Sequence, residues 1–197
     1  MGLKLTYSEG QTPLDEAQME GLKIRTITTQ QQLNEFEQTN INEALKWLNA
    51  KRNIKDLLTE TFMKNLHKRM FGLVWKWAGT YRKIETNIGS QWRKIPIELR
   101  TLIDDCNYWI EHKTFPEEEI AIRFKHQLVC IHCFPNGNGR HSRLMADLIA
   151  VHIFGLPKFT WGGSSLIESS EQRKRYLKAL HLADNGDYKA LIKFAKS

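Results

Sequence analysis

The residues best suited to chemistry lie in one short stretch, IHCFPNGNGRHSRL, in the second half of this 197-residue chain. His132 ends an apolar periodic segment, and a histidine titrates near neutral pH, so it can accept a proton from a hydroxyl. Gly137 and Gly139 stand directly before the next helical segment, where free backbone N–H groups bind anions. Arg140 and Arg143 share nearly one face of that segment. A base beside a helix N-terminus and two guanidiniums predicts a polyphosphate site.

Two other interpretations of this stretch are weaker. The spacing GxxxxGK(S/T) is absent, so the stretch is not a P-loop. Cys130, His132 and Cys133 are metal-ligand types, but neighbouring positions cannot easily converge on one ion, and no second CxxC or HxxxH half accompanies them. A plain connection between two helices explains the glycines but not a base with two aligned arginines. Five of the other six histidines occur singly and are expected to be packed or solvated helix residues: His67, His126, His141, His152 and His181.

Composition and charge limit the classes of protein that need to be considered. With 41% hydrophobic and 26% charged residues, the chain resembles an ordinary globular domain. It has no long apolar segment, no apolar signal-peptide core near residue 1 and three cysteines that make no disulfide framework, which together predict a cytoplasmic protein without membrane contact. The net charge of +7 favours anionic partners. Nucleic acid is the weakest of these, because no aromatic-basic motif of the known readers is present.

Hydrophobic periodicity predicts a mainly α-helical chain, with the stretch between its two strongest helices. An irregular arm covers residues 1–26, and a β-hairpin is expected over residues 84–96. The predicted helices begin after a cap at Thr28 or Thr29, run from Asp56 to Phe71, from Leu99 to His112, from Pro116 to His132, from near Gly139 to about Phe154 and from Glu171 to Asp184, with a short terminal helix after that.

At these residues the sequence resembles the Fic/Doc family, whose signature reads HxFx(D/E)GNGRxxR. The matching positions are His132, Phe134, Gly137, Asn138, Gly139, Arg140 and Arg143. The segments LHKRMFGLVWKWAGTYRK and RYLKALHLADNGDYKALIKFAK look like the flanks of Fic domains, and TPLDEAQMEGL with ITTQQQLNEFEQTNI looks like the mobile mystery protein B subgroup. The resemblance implies a Fic-type helical bundle with a small β-hairpin flap, an N-terminal arm and helix over residues 1–50, and a Fic domain over residues 51–197.

The resemblance also implies an activity, namely transfer of AMP from ATP to a hydroxyl of a target protein with release of pyrophosphate. In that reaction His132 would deprotonate the target Ser, Thr or Tyr, and Phe134 would anchor the loop structurally. The flap over residues 84–96 would pair with an extended segment of the target, as in strand addition.

The nucleotide would lie on the glycine-rich loop and the helix that follows it. By resemblance, Gly137, Asn138 and Gly139 would cradle its phosphates. Arg140 and Arg143 would hold the outer phosphates and neutralise the charge that develops there.

The chain departs from the signature at Asn136, where the family has Asp or Glu as a ligand for Mg²⁺ or Mn²⁺. An asparagine oxygen is a neutral and weaker ligand for such a hard cation. The departure leaves two alternatives open. The protein could be a nucleotide-binding regulatory module with weak or no transfer activity, or it could transfer a different phosphate-containing group.

Many Fic proteins carry an inhibitory helix with the pattern (S/T)xxxE(G/N), whose glutamate pairs with the second arginine of the signature. No complete copy occurs in this chain. The nearest match is LNEFEQTN, in which Glu37 is followed by Gln38 and preceded at the fourth position by Leu33. By resemblance, Glu37 would pair with Arg143 and compete with a phosphate. The alternative is a solvated glutamate on a helix face.

Overall fold

The computed structural model describes residue 5 and residues 13–51, 54–163 and 170–197. Within these ranges it contains no strand, and none of its helices combines the length and the apolar character needed to cross a membrane. The described helices are α1 (Glu16–Met19), α2 (Gln30–Asn49), α3 (Glu60–Phe71), α4 (Ile95–His112), α5 (Glu117–Ile131), α6 (Asn138–His152), α7 (Ser170–Asp184) and α8 (Lys189–Ala195).

The mainly helical fold is confirmed, and side-chain caps explain several of the helix boundaries. Thr29 caps α2 by accepting a hydrogen bond from the Gln32 N–H, and Gln32 returns the contact to the Thr29 N–H. Thr59 caps α3 by accepting a hydrogen bond from the Phe62 N–H, so this helix begins four residues later than predicted. α4 begins four residues earlier than predicted, because Pro96 suits the first turn of a helix.

The predicted irregular arm is wrong at one place. Residues Glu16–Met19 form the single turn of α1, closed by a capping box between Asp15 and Gln18. Residues 1–4 and 6–12 of the predicted arm lie outside the described residues.

Helix α5 runs through the core and packs against α4, α6 and α8. Its first turn carries three glutamates after Pro116, as favoured by the helix dipole. One face of α5 is apolar and buried, and it consists of Ile120, Phe124, Leu128 and Ile131. Since α5 is held on several sides, the residue that ends it is held at a fixed position.

Helix α2 packs on α3, and its buried residues include Leu33, Asn40, Ile41, Ala44 and Leu48. Phe36 lies outside this face and is 44% exposed. Glu37 is buried instead, among Leu33 and Ile41 on the same face. A buried carboxylate requires partners. Arg140 of α6 and Trp75, which follows α3, are the partners of Glu37.

The predicted hairpin over residues 84–96 is not formed. Residues 84–91 have no regular secondary structure, a 3₁₀ turn covers Trp92–Lys94, and α4 begins at Ile95. The physical reason is that the backbone of this segment pairs with the end of α5 and with Arg82 rather than with itself. The Ser90 N–H donates to the Ile131 carbonyl over 3.2 Å, and Arg82 donates to the Ile84 and Ser90 carbonyls.

Candidate active site

His132 lies at the C-terminal end of α5, in a left-handed conformation with φ 56° and ψ 58°. Its side chain is buried, and this burial lowers its pKa to about 4, with a smaller contribution from the Arg82 guanidinium. A backbone hydrogen bond involving Val129 acts in the opposite direction. The imidazole is therefore neutral at pH 7 and able to accept a proton.

Arg82 holds the residues next to His132 in place, and no sequence signal pointed to this role. Its buried guanidinium donates to the carbonyl of His132 over 2.7 Å and to that of Ile131 over 3.4 Å. It also binds the carbonyls of Ile84 and Ser90, so one side chain joins the end of α5 to the segment that follows Arg82.

Gly89 brings the same segment against His132. Its φ of 103° suits glycine, and an added Cβ would lie 2.5 Å from the Cβ of His132. The segment therefore covers one side of the imidazole.

The loop between α5 and α6 is closed by Asn138. Its side chain accepts from the Phe134 N–H over 2.9 Å and donates to the Phe134 carbonyl over 2.7 Å. These two bonds hold the side chain in the loop, and the backbone N–H of Asn138 lies in the first turn of α6, where it can donate to an anion. Phe134 is buried and packs against His67, Tyr81 and His141.

His67 supports the loop from beneath, which its isolated position in the sequence did not reveal. The Gly79 N–H donates to its Nδ1 over 3.0 Å, so Nε2 carries the proton and donates to the Asn136 carbonyl, also over 3.0 Å. Its ring stacks on Phe134 with centroids 3.8 Å apart. Burial lowers the pKa of His67 well below its ordinary value, which keeps this arrangement neutral.

The two glycines of the loop differ in their surroundings. Gly137 caps α6 with φ 80°, and an added Cβ would lie 2.6 Å from the ring of Phe71, so only glycine fits there. A Cβ at Gly139 would meet nothing within 4 Å. The surface at Gly139, in the first turn of α6, is therefore open to a ligand that approaches the free N–H groups of the helix.

Arg140 is the partner of Glu37. Its Nη1 lies 2.7 Å from Glu37 Oε2, and its guanidinium lies over the ring of Phe71 at 4.7 Å. The Trp75 indole N–H donates to the other carboxylate oxygen over 2.6 Å. The solvated glutamate considered from the sequence is therefore wrong, because Glu37 is buried and holds one of the two signature arginines.

The expected Glu37–Arg143 pair is replaced by the Glu37–Arg140 pair. Arg143 points along its own helix, where its Nε donates to the Gly139 carbonyl over 3.3 Å. Burial and the nearby positive charge of Arg140 both lower its pKa, although a guanidinium stays charged at neutral pH. Arg140 and Arg143 carry two positive charges, and Glu37 neutralises one of them. The N-terminal end of α6 therefore has a net positive charge.

Asn136 does not fit a tightly held Mg²⁺. Its Oδ1 accepts a hydrogen bond from the Gly137 N–H over 2.6 Å, so this neutral oxygen is already engaged. Magnesium in nucleotide sites is usually held by one or two carboxylates together with phosphate oxygens. Residues 133–138 contain no carboxylate, and Glu37 is engaged by Arg140.

Comparisons with known proteins relate this chain to Fic proteins. Residues 57–150 match the model of the Fic/DOC family. "Protein adenylyltransferase Fic" of Aedes aegypti is 26% identical over 78% of this chain and 30% of its own length, and the protein of that name from Drosophila melanogaster is 29% identical over 77% and 30%. The N-terminal FIC domain of the Bep8 protein from Bartonella sp. 1-1C has the same fold, with a TM-score of 0.70, 17% identity and 90% of each chain covered. The chain thus spans less than a third of the length of these curated relatives.

Proposed function

We propose that this chain, whose residues 57–150 match the model of the Fic/DOC family, is a Fic-type protein adenylyltransferase. It transfers AMP from ATP to the side-chain hydroxyl of a Ser, Thr or Tyr in a target protein and releases pyrophosphate. The observation that carries the proposal is a buried, neutral His132 placed directly before the anion-binding end of α6 with its two arginines. The name of the curated relatives supports the same activity.

The transfer step assigns one role to each part of the site. The His132 imidazole removes the proton from the target hydroxyl, and the oxygen forms a bond to the α-phosphorus of ATP. The bond between that phosphorus and the bridging oxygen breaks, and pyrophosphate leaves with the electron pair. Arg140 and Arg143 neutralise the charge that develops on the leaving group.

The phosphates bind at the start of α6. The open surface at Gly139 admits them to the backbone N–H groups of Asn138, Gly139 and Arg140, which have no partner within the first turn of a helix. The Asn138 side chain contributes indirectly, because its two hydrogen bonds to Phe134 fix the shape of the loop.

The target protein docks on residues 84–91, next to His132. This segment has no regular secondary structure, it is fixed by Arg82, and it presents the partly exposed side chains of Ile84 and Ile88. An extended target segment that pairs with this backbone would place its hydroxyl beside the imidazole.

Glu37 restrains the enzyme by holding Arg140. A phosphate that needs this guanidinium must displace a buried carboxylate that is also fixed by the Trp75 indole. The restraint acts on the first arginine of the signature here, since that is the arginine which α2 reaches in this chain.

A second candidate function rests on Asn136. Its neutral side chain, engaged by the Gly137 N–H, favours a nucleotide-binding module that transfers weakly or not at all. A different transferred group is the third outcome that the experiment has to separate.

ATP labelled at the α-phosphorus or at the γ-phosphorus separates these functions. The reactions are run in host lysate with and without added Mg²⁺ or Mn²⁺. We expect the α-label, and not the γ-label, to appear on protein. The label should be absent with His132→Ala. Transfer of the γ-label would show phosphate transfer instead. Binding of ATP without transfer of either label, in both wild type and Glu37→Gly, would favour the regulatory module.

A further inference from the structure

A cluster of three metal-ligand side chains lies between α5 and α7, outside the loop described above. His126 and Cys130 are one turn apart on α5, and Asp184 ends α7. The His126 Nε2 atom lies 2.8 Å from Asp184 Oδ1, and the Cys130 Sγ atom lies 3.6 Å from His126 Nε2 and 3.9 Å from Asp184 Oδ1. One nitrogen, one sulfur and one oxygen thus converge on one point.

We propose that His126, Cys130 and Asp184 form a zinc-binding site. Bond lengths of about 2.3 Å to sulfur and about 2.0–2.2 Å to nitrogen and oxygen place tetrahedral ligands about 3.6 Å apart for a sulfur and a nitrogen, and about 3.4 Å apart for a nitrogen and an oxygen. The sulfur–nitrogen separation is already at this value, and the sulfur–oxygen separation needs to shrink by about 0.3 Å. The histidine–aspartate contact opens by about 0.6 Å when the ion enters.

The imidazole of His126 is oriented for this role by Tyr188. The Tyr188 hydroxyl lies 3.2 Å from His126 Nδ1, on the side of the ring opposite the cluster. When the ion binds, Nδ1–H donates to this hydroxyl and Nε2 offers its lone pair, which is the arrangement of most metal-ligating histidines. The Cys130 thiol loses its proton to solvent and binds as the thiolate.

The chemistry of the three ligands selects the metal. A thiolate with an imidazole and a carboxylate suits Zn²⁺, whereas Mg²⁺ and Ca²⁺ prefer oxygen ligands alone. Cys130 is exposed and Asp184 is half-exposed, so an ion can enter from solvent. The exposed His181 lies nearby, with its Nδ1 3.4 Å from the second Asp184 oxygen, and this imidazole or a water would fill the fourth position.

The bound ion would join two helices that are distant in sequence. Cys130 and Asp184 are separated by 54 residues, and Cys130 lies two positions before His132. Besides this cluster, Lys125 and Tyr176 also link α5 and α7 through a hydrogen bond. Zinc would therefore brace the helix that positions the proposed base.

Cobalt provides a direct test, since Co²⁺ can replace Zn²⁺ in such a site and has visible absorption. Full-length protein titrated with Co²⁺ should show the visible bands of tetrahedral cobalt and a near-ultraviolet thiolate-to-cobalt band, at one equivalent, and Zn²⁺ should abolish both. Zn²⁺ should also raise Tm and slow alkylation of the exposed Cys130, with reversal by EDTA. Cys106 and Cys133 are buried and cannot replace it in the alkylation assay.

Matched variants assign the ligands. Cys130→Ser should remove the thiolate band, and His126→Gln and Asp184→Asn should weaken Zn²⁺ binding at least tenfold, as judged by competition with a chromophoric chelator. Asp104→Asn and His112→Gln, exposed residues of α4, should bind like wild type. Circular dichroism and Tm without metal identify any variant that does not fold. The proposal is overturned if folded Cys130→Ser and Asp184→Asn bind Zn²⁺ like wild type, or if wild type gives no thiolate band, whatever the result for AMP transfer.

Discussion

At the scale of single residues, the surroundings of His132 decide its chemistry. A free histidine is partly protonated at pH 6.5, and only the neutral form accepts a proton. Burial and Arg82 lower its pKa to about 4, so nearly every molecule carries the neutral form at neutral pH. In the proposed reaction the low pKa makes His132 available as a base but lowers its basicity, and the neighbouring positive charges would stabilise the anionic nucleotide.

The first prediction concerns this base. His132→Ala should reduce AMP transfer by about 10²–10⁴-fold or more, because the other two histidines beside the loop, His67 and His141, are buried and bonded to backbone carbonyls. Affinity for ATP should change little, since the phosphate-binding groups lie on α6. Transfer and ATP affinity are measured side by side, with His152→Ala, an exposed histidine at the end of α6, as control. Transfer at the parent rate by His132→Ala would contradict the assigned role.

The pH profile gives a second prediction. Because the pKa of His132 in the free protein is about 4, kcat/KM for transfer should stay flat from pH 7.5 down to about 5 and fall only below that. An ordinary histidine would produce the acidic fall near pH 6.5. The measurement is the initial rate at low ATP across this range, with a check that the protein remains folded. A fall centred near pH 6.5 would show that the imidazole is not buried during catalysis.

The third prediction belongs to Asn136. Asn136→Asp places a carboxylate where the side chain is now neutral, so affinity for Mg²⁺ in the presence of nucleotide should rise by about tenfold, or about 1.4 kcal/mol. The rate of AMP transfer should rise with it. Titrations of Mg²⁺ and Mn²⁺ against nucleotide binding check this, with Asn136→Ser as a neutral control. Equal metal dependence in all three proteins would mean that residue 136 does not face the ion.

At the scale of elements, the sequence predicted helices better than the faces and contacts of helices. The caps at Thr29 and the proline-glutamate start of α5 act locally, so they could be identified from neighbouring residues. The burial of Glu37 could not, because it depends on Arg140 and Trp75, which reach α2 only through tertiary packing. The residues of the loop are contiguous, and their grouping followed from the sequence.

The segment over residues 84–96 shows the same limit in a different way. Its alternating isoleucines and its glycine are typical of a hairpin. The structure instead pairs its backbone with Arg82 and Ile131, a competition that local propensity does not describe. The cluster of His126, Cys130 and Asp184 was also hidden, because its halves lie more than fifty residues apart in sequence.

The contact between α2 and α6 carries the fourth prediction. Glu37→Gly should raise self-labelling with ATP, because it frees Arg140 for a phosphate. A hydrogen bond to a charged group contributes about 1.5–3 kcal/mol, which corresponds to a gain of about 10- to 100-fold. Glu35→Gly controls for the cost of glycine in a helix, since Glu35 is exposed on the same helix. Equal labelling by wild type and both variants, with His132 confirmed as essential, would remove Glu37 from the mechanism and leave Asn136 as the brake.

At the scale of the whole molecule, four histidines of the candidate site and the core are buried. Burial lowers the pKa of both His132 and His141 to about 4, and it also lowers those of His67 and His126. His67 and His141 pack against Phe134 of the loop, whereas His126 lies against Tyr188 and Asp184. The burial that keeps the proposed base neutral therefore also makes the stability of the fold depend on pH.

The last prediction is a loss of stability in mild acid. Histidines of the unfolded chain are protonated near pH 6.5, whereas His132 and His141 of the folded protein are protonated only near pH 4. Each therefore contributes stability that is present above pH 6.5 and lost as the pH falls. Each loss amounts to about 3 kcal/mol at pH 4. Asp147 acts in the opposite sense, because burial raises its pKa to about 6, and it returns about 2 kcal/mol over the same range.

The sum is a decrease of about 4 kcal/mol in the free energy of unfolding between pH 7 and pH 4, to which His67 and His126 add in the same direction. Urea unfolding at a series of pH values measures it, with metal chelated so that ligand binding does not contribute. His141→Gln should make the decrease shallower, because it removes one buried ring that resists protonation, whereas His152→Gln, at an exposed position, should leave the slope unchanged. A free energy of unfolding that stays constant or rises from pH 7 to pH 4.5 would contradict the lowered pKa values of these rings in the folded protein and, with them, the flat pH profile predicted for transfer by His132.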